Sequence, residues 1–209
     1  NKDFTIFTFK IDTDKKFSNG KNLSSYDFKQ SWESALALTP KSANSSLQDV
    51  LYKVVGFNKF TETKTLSGLK TPDDKTLEVH FEKPFRTALV YLSGSRMAAT
   101  IKNGDHYLGT GAYRIVSQNN GAAEFVRNTF SDLAGNFDKV TYIVVPTSEA
   151  VEALKNNKIQ LYTFAEKTQI DDCLKEDALI SCFLGSASRH FTIILNGKSG
   201  KLLANKNYR

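Results

Sequence analysis

Strands are predicted along this chain wherever apolar side chains recur at every second position. Residues 7–11 alternate in this way, and residues 77–81 do so after a predicted turn at residues 71–75. Residues 119–121, Asn-Asn-Gly, are typical of a hairpin turn, and alternating residues precede and follow them. Residues 140–145 are apolar almost throughout, which predicts a buried strand.

An amphipathic helix is predicted from Ser25 to Leu38. Ser24 stands three residues before Asp27, as in a capping box, where the two side chains satisfy free N–H groups at a helix start. Four apolar residues recur every three or four positions after this start: Phe28, Trp32, Ala35 and Leu36. Residues at that spacing share one face, so we expect this face to lie against the core.

The remaining elements alternate between helix and strand. An apolar face on residues 47–55 predicts a second helix that ends at Gly56, and a short helix is predicted at 87–92. Farther along the chain, helices are predicted after Thr147-Ser148, with Val151 and Leu154 on the apolar side, and at 168–177, and strands at 159–164, 179–184 and 191–195. This alternation predicts an α/β (mixed α+β) fold with a mixed sheet and flanking helices.

The charge pattern argues against a nucleic-acid partner. The chain carries 28 basic and 22 acidic residues, a net charge of +6, and the two signs are interleaved, as at Glu82-Lys83. No recognition helix, RNA-binding signature or basic arm accompanies the charge, so we interpret it as a solvated surface. The longest apolar runs have the length of strands and fall well short of the ~20 residues that a membrane-spanning helix needs.

Residue types that carry catalysis or bind metals are present but do not converge in the sequence. Cys173 and Cys182 have no histidine or third cysteine at ligand spacing, which argues against zinc and leaves either a disulfide or two free thiols. His80 lies on the polar side of its strand, His106 in a loop and His190 at the start of a strand, and none has a second ligand four residues away. We therefore predict no catalytic residue, no metal, no cofactor and no enzymatic activity.

Three blocks of sequence carry a resemblance to a known family. The first joins the strand at 7–11 to the capped helix start at 23–28, and the second joins the turn at Pro72 to the exit at Pro84-Phe85. The third is Gly109-Thr110-Gly111-Ala112-Tyr113, with alanine where proline is usual. In this order the blocks resemble the extracellular solute-binding proteins of family 5, which bind peptides, dipeptides or nickel for ABC importers.

The resemblance implies a periplasmic-binding-protein-like type II lobe together with the extra subdomain of this family. Composition and element pattern shift near Leu108 to Gly111, so we assign 1–108 to the extra subdomain and 109–209 to part of the first ligand-binding lobe. Family members are much longer, and we expect the second lobe to be absent from this chain. The two lobes of such proteins close on a solute about a hinge, for which Asn196-Gly197 is our candidate.

The resemblance also implies a set of cleft residues: Asn44, Ser45 and Ser46, then Ser95, Arg96 and Met97, and finally Gly109, Thr110 and Gly111. The Arg96 side chain has the geometry to bind a ligand carboxylate through two parallel hydrogen bonds, and an ordinary solvated arginine is the alternative. The implied protein is a monomer, located in the periplasm or held at the cell surface as a lipoprotein. It binds oligopeptides, dipeptides or another small solute and delivers the solute to an ABC permease in the membrane.

Two other functions are alternatives at this point. Similar modules occur as ligand-sensing domains of transcriptional regulators, where a helix-turn-helix would accompany the module. A hydrolase is the third alternative, and it would need a convergent catalytic triad that the sequence does not indicate. We therefore expect a binding protein whose affinity for its ligand comes from shape complementarity and hydrogen bonds.

Overall fold

The computed structural model of the chain describes residues 1–38, 46–133 and 135–163. The chain divides into two compact units, Asn1–Val144 and Val145–Arg209, and the second is described as far as residue 163. The strands are β1 (Ile6–Lys10), β2 (Leu69–Asp73), β3 (Thr76–His80), β4 (Ile101–Asn103), β5 (His106–Leu108), β6 (Tyr113–Asn119), β7 (Ala122–Arg127) and β8 (Lys139–Ile143). The helices are α1 (Ser25–Leu38), α2 (Ser46–Leu51), α3 (Phe60–Thr63), α4 (Ala88–Leu92) and α5 (Ala150–Lys155), with 3-10 segments at Phe57–Lys59, Ser95–Met97 and Thr147–Glu149.

The main core of the first unit lies on a three-stranded antiparallel sheet with the order β1-β3-β2. Phe7 pairs with Val79 and Phe9 with Leu77, so the alternating apolar side chains of the two strands share one face. The Phe81 ring, just after β3, meets the Phe7 ring edge-on, with 5.8 Å between ring centroids. The strands predicted from alternation at 7–11 and 77–81 are confirmed.

Helix α1 has the predicted bounds and covers this sheet with the predicted face. The Asp27 carboxylate accepts hydrogen bonds from the Ser24 backbone N–H at 2.9 Å and from the Ser24 hydroxyl at 2.6 Å. The Lys21 ammonium lies 2.5 Å from the same carboxylate, whose side chain is almost completely buried. Asp27 therefore stabilises the start of the helix, and its negative charge also interacts favourably with the positive end of the helix dipole. Trp32 and Leu36 are buried on the core side.

Helix α2 is shorter than the predicted helix, although its apolar residues are buried as expected. It ends at Leu51 because the chain then turns to pair with the sheet: Val54 forms an isolated antiparallel bridge with Phe81, and the Val55 N–H donates to the His80 carbonyl at 2.9 Å. Gly56 follows with a φ of +91°, a left-handed conformation that glycine adopts without steric cost.

A two-stranded hairpin and a second three-stranded sheet complete the first unit. Strands β4 and β5 pair around a turn in which Gly104 has a φ of +60°. His106 consequently lies in β5, opposite Asn103, and not in a loop as predicted. Strands β6, β7 and β8 form an antiparallel sheet in that order, and the Asn-Asn-Gly turn joins the first two as predicted.

Strand β8 is more exposed than its apolar sequence predicts. Tyr142 and Val144 are 67% and 81% exposed, and Val140 is half-buried. Within the described part of the chain β8 lies at the edge of the sheet, where it pairs with β7 on one side, so its side chains have fewer neighbours there. The Tyr142 ring packs edge-on against Phe125, with 5.4 Å between centroids.

The second unit begins with the 3-10 segment Thr147–Glu149, which leads directly into α5. Ala150 and Ala153 are the buried residues of α5, whereas the predicted face placed Val151 and Leu154 inside. Residues 159–163 were predicted to be a strand and are not one in the described structure, although Ile159 is buried. Among the described residues, no helix has the length and apolar character needed to cross a bilayer.

Candidate ligand-binding groove

A pair of long-range hydrogen bonds attaches α1 to the 3-10 segment Ser95–Met97, which we call the 95–97 turn. The Trp32 indole N–H donates to the Met97 carbonyl oxygen at 2.8 Å, and both residues are 3% exposed. The Thr100 backbone N–H donates to the Ser31 hydroxyl oxygen at 3.1 Å, three residues beyond the turn. Adjacent residues on α1 therefore hold the chain before and after Ala98, and they determine where the turn lies.

A groove of about 560 Å³ lies between α1, the start of α2, the 95–97 turn and the β4-β5 hairpin. We call it the α1 groove. Its main polar side chains are Gln30 and Ser34 from α1, Ser95 and Arg96 from the turn, and Lys102 and Tyr107 from the hairpin. Leu38, Leu47 and Ile101 supply an apolar part of its wall. Concave surfaces that combine an apolar wall with a few polar groups are typical of small-molecule sites.

The β4-β5 hairpin contributes its side chains by register. Lys102 and Tyr107 are cross-strand partners, so both lie on the same face of the hairpin, and both line the groove. Ile101 pairs with Leu108, and both of these side chains pack against the small cluster around Phe17. The hairpin is thus anchored to the core by its apolar pair while its polar pair faces the groove.

Two of the residues predicted for the cleft line the α1 groove, and a third supports it. Ser95 and Arg96 are exposed lining residues, whereas Met97 is buried and its carbonyl oxygen accepts the bond from Trp32. The predicted group at 44–46 is adjacent in sequence to Leu47, which does line the groove. Asn44 and Ser45, and the side chain of Ser46, lie outside the described residues.

The predicted Gly109-Thr110-Gly111 segment does not line this groove, and its three carbonyl oxygens accept bonds from within the first unit. The Ser18 backbone N–H donates to Gly109 at 3.0 Å, the Ser131 hydroxyl to Thr110 at 3.0 Å, and the Asn128 amide to Gly111 at 2.8 Å. These bonds connect the segment to two neighbouring loops. Its role in ligand binding stays a prediction.

The other predicted site residues are not covered by the structure. The hinge candidates Asn196 and Gly197 and the cysteines Cys173 and Cys182 lie outside the described residues. Within residues 1–38, 46–133 and 135–163, no cluster of three or more histidine, cysteine, aspartate or glutamate side chains could hold a metal ion.

The analysis of apolar faces missed the polar face of α1, which forms one side of the groove. Gln30, Ser34 and Leu38 are spaced by four residues, so they lie above one another on a helix. The same spacing that identified the buried face could have identified this row. Lys102 and Tyr107 carried no comparable signal, because only the pairing of β4 with β5 brings them together.

Glu33 lies beside this row, in an adjacent depression of about 470 Å³ that shares Gln30 and Ser34 with the α1 groove. Its carboxylate accepts the Leu66 backbone N–H at 2.8 Å. Burial raises the pKa of the Glu33 carboxyl above its ordinary value, and the bond from Leu66 and the Lys29 ammonium at 3.9 Å partly oppose this rise. Glu33 therefore holds the loop before β2, and ionisation of its partly buried carboxyl costs more free energy than in water.

Solved structures of three solute-binding proteins superpose on the chain. They are OppA of Haemophilus influenzae in complex with RPPGFSPFR (TM-score 0.62, 23% identity, 76% of this chain and 34% of that chain) and the binding protein AgaA of A. tumefaciens R10 in complex with agropinic acid (0.66, 20%, 84% and 35%). The third is a nickel ABC transporter structure from Bacillus halodurans (0.61, 23%, 76% and 31%). The chain thus spans about a third of the length of these proteins. At such identities the likeness shows the fold, which confirms the predicted type II, periplasmic-binding-protein-like class.

Comparison at the level of sequence identifies the family. A search of curated proteins finds no match. The family model described as "Bacterial extracellular solute-binding proteins, family 5 Middle" matches residues 1–209, which is the whole chain. The sequence blocks at 7–28, 72–85 and 109–113, the fold and the family model therefore agree. The chain belongs to family 5 of the bacterial extracellular solute-binding proteins.

Proposed function

We propose that this chain forms one wall of the ligand cleft in the solute-binding component of an ABC-type importer, and that the α1 groove is part of that wall. The observation that carries the proposal is the contrast between the buried support of the groove and the exposed polar side chains that line it. The Trp32 to Met97 bond fixes the 95–97 turn, whereas the side chains of Gln30, Ser34 and Arg96 have no hydrogen-bond partner among the described residues. A preformed surface with unused polar groups binds a ligand at a low cost in ordering.

The solute of this cleft is proposed to be an oligopeptide, a dipeptide or a comparably small polar molecule. The relatives of known structure support this range, because one is in complex with the peptide RPPGFSPFR and another with agropinic acid. The remainder of the cleft would come from a second lobe, which rotates about a hinge at Asn196-Gly197 and encloses the solute. In this arrangement the protein works outside the cytoplasm, in the periplasm or as a cell-surface lipoprotein, as a monomer that docks on a membrane permease.

No chemical step is part of this proposal. The titratable side chain nearest the groove with a shifted pKa is Glu33, and its carboxylate is occupied by the Leu66 N–H. Binding and release are sufficient for a solute-binding component. The alternative of a sensing domain in a transcriptional regulator has no support from the fold or from the family match.

The test is a binding screen on the full-length protein with peptides of two to five residues, nickel and haem. A ligand at 100 times its dissociation constant stabilises the folded state by about 2.7 kcal/mol, which is readily measured as a rise in melting temperature. We expect such a rise with at least one peptide, and dissociation constants from titration calorimetry then confirm binding.

A matched pair of variants connects that binding to the α1 groove. Ser34→Leu blocks the polar row of α1 and should weaken binding, whereas Ser117→Leu alters an exposed serine on β6 that does not line the groove and should leave binding unchanged. Absence of any thermal shift across the screen would refute the transport proposal. Equal binding by the two variants would remove the α1 groove from it.

A further inference from the structure

Three Asn-Gly pairs lie at turns of the described chain, at residues 19–20, 103–104 and 120–121. In such a pair the glycine amide nitrogen can attack the side-chain carbonyl carbon of the asparagine, because glycine has no Cβ to hinder the approach. The reaction needs an accessible asparagine, a glycine N–H that is not firmly bonded, and rotation about the Cα–C bond of the asparagine. The three pairs differ in these properties.

Asn120 and Gly121 form the two-residue loop between β6 and β7, beyond the last strand pair, Asn119 with Ala122. Both loop residues are exposed, and the Asn120 side chain has no hydrogen-bond partner among the residues that the structure describes. The Gly121 N–H donates to the Asn119 side-chain oxygen at 3.2 Å, a long bond to an exposed group. A Cβ added at Gly121 would meet no atom within 4 Å, so the space beside this residue is open.

Asn19 and Gly20 are held by firmer contacts. The Gly20 N–H donates to the Phe17 carbonyl oxygen at 2.8 Å, and the Asn19 side-chain oxygen accepts the Lys21 backbone N–H at 3.1 Å. A Cβ added at Gly20 would lie 3.2 Å from the Phe130 ring, so one side of this glycine is crowded. Attack by the Gly20 nitrogen would have to break its bond to Phe17.

Asn103 is restrained by the strand in which it lies. It is the last residue of β4 and pairs with His106 across the hairpin. Rotation about its Cα–C bond turns its carbonyl group out of the ladder and breaks this pairing. Gly104 itself is exposed and uncrowded, so strand pairing is the restraint at this site.

We propose that Asn120 is a site of spontaneous covalent modification, more reactive in the folded protein than the other two described pairs, and that the Asn119 side chain restrains the reaction. The Gly121 nitrogen loses its proton to a base in solution and forms a bond to Cγ of Asn120. The bond from Cγ to the side-chain nitrogen breaks, and ammonia leaves with a proton from solvent, so a five-membered succinimide ring remains. Water then adds to one of the two ring carbonyl carbons and opens the ring to aspartate or isoaspartate. Water is the single co-reactant, ammonia is the product released, and nothing is oxidised or reduced.

The products change the end of the hairpin. Each places a negative charge at the loop of a chain whose net charge is +6. Isoaspartate also inserts one main-chain atom into a loop that the Asn119 side chain closes through its bonds to the Gly121 and Ala122 N–H groups. The Gly121 carbonyl oxygen accepts the Val144 N–H at 2.8 Å, so a longer loop also disturbs the contact with the segment after β8.

The experiment follows the full-length protein during incubation at pH 7 and at pH 9, with peptide mapping by mass spectrometry and chromatographic separation of aspartate from isoaspartate. We expect Asn120 to convert first, and faster at pH 9 because the attacking nitrogen must lose a proton. Asn19 and Asn103 should convert at least about fivefold more slowly, since each must first lose a native hydrogen bond. In guanidinium chloride, where these restraints are absent, the three pairs should convert at similar rates.

Variants test the two residues beside Asn120. Gly121→Ala should slow conversion by about fivefold or more through the loss of glycine freedom, and nothing within 4 Å opposes the added Cβ. Asn119→Ala releases the Gly121 N–H and should accelerate conversion about two- to tenfold. Asn119→Asp keeps an acceptor oxygen and should convert no faster than the natural protein.

Conversion of Asn19 or Asn103 as fast as Asn120 in the folded protein would overturn the proposal. So would an Asn120 that stays intact in the folded protein while the unfolded chain converts, or a rate that Gly121→Ala does not change. An unchanged rate in Asn119→Ala would overturn the restraint by Asn119. Equal acceleration in Asn119→Ala and Asn119→Asp would do the same, because loosening of the hairpin would then be the cause.

Discussion

Replacement of Trp32 by phenylalanine should remove the hydrogen bond that holds the 95–97 turn while it keeps most of the packing of the ring. The indole N–H donates to the Met97 carbonyl oxygen at 2.8 Å, and each residue is 3% exposed. A phenylalanine ring occupies much of the same space but has no donor, so the carbonyl oxygen is left buried without this partner. An unsatisfied buried acceptor costs about 1–3 kcal/mol.

The smaller ring adds a second, lesser cost. It reduces the buried apolar surface and the edge-on contact with Phe28, whose ring centroid lies 5.9 Å from that of Trp32. We assign on the order of 1 kcal/mol to this loss. The total decrease in the free energy of unfolding is therefore about 2–4 kcal/mol, most of which comes from the hydrogen bond.

The measurement is urea denaturation followed by far-ultraviolet circular dichroism. Tryptophan fluorescence is unsuitable because Trp32 is the single tryptophan of the chain. Tyr142→Phe is the matched control, since it also removes one polar group from an aromatic residue, but at a position that is 67% exposed. The control should change stability by less than about 0.5 kcal/mol.

A loss below about 0.5 kcal/mol for Trp32→Phe would refute the reasoning, because the buried bond would then contribute nothing. Equal losses for Trp32→Phe and Tyr142→Phe would do the same. If the predicted loss is found, weaker solute binding in Trp32→Phe would further show that the position of the 95–97 turn matters to the groove.

Three further substitutions test other parts of the structure. Glu33→Ala should lower the free energy of unfolding by about 1–3 kcal/mol because it leaves the Leu66 N–H without its acceptor, whereas Glu33→Gln keeps an acceptor and should be at least as stable as the natural protein at pH 7. Because burial raises the pKa of Glu33, the stabilisation that this carboxyl gives the folded state is fully present below its ordinary pKa of 4.5, and it is lost as pH rises through the raised pKa. Glu33→Gln should abolish this pH dependence of the free energy of unfolding, measured by urea denaturation at several pH values. Asn128→Ala removes the 2.8 Å bond to the Gly111 carbonyl from a side chain that is 2% exposed, and should cost about 1–3 kcal/mol by thermal and urea denaturation. Gly56→Ala should cost more than about 2 kcal/mol by the same measurements, because φ is +91° and a Cβ atom would lie 2.4 Å from a serine hydroxyl.

The outcomes that contradict these predictions differ. A stability profile of Glu33→Gln that follows the natural protein at every pH would show that another group produces the dependence. For Asn128→Ala, a loss under about 0.5 kcal/mol would mean that the Gly111 carbonyl finds another partner. Gly104→Ala is the control for Gly56→Ala, because Gly104 also has a positive φ, +60°, but nothing lies within 4 Å of its added Cβ. Similar losses of stability in the two variants would show that the close contact of the added Cβ does not contribute at Gly56.

Local sequence signals were sufficient for the elements that fold through near neighbours. The bounds of α1 follow from the Ser24 and Asp27 pair at its start and from the apolar spacing behind it, and the β6-β7 hairpin follows from its Asn-Asn-Gly turn. The interactions involved span three or four residues, so they are visible in the sequence. The end of α2 was not predicted, because Val54 leaves the helix to pair with a residue 27 positions farther along the chain.

Positions in the candidate site were harder to predict than the fold. The resemblance predicted Ser95, Arg96 and Met97 together as cleft residues. In the structure Ser95 and Arg96 line the α1 groove, whereas Met97 is buried and its carbonyl oxygen accepts the bond from Trp32. Resemblance assigns a segment as a whole and does not determine which way each side chain points. The bonds that decide this for the 95–97 turn join residues 65 and 69 positions apart.

By itself, the sequence determined the family, the mixed helix and sheet class and the strongest local elements of this protein. These follow from motif order, from periodicity and from capping, all of which are local properties. Only the tertiary structure decided that the polar row of α1, the 95–97 turn and the Lys102 and Tyr107 pair line one groove. The physical reason is that the groove arises from packing between segments far apart in sequence, which no single motif contains.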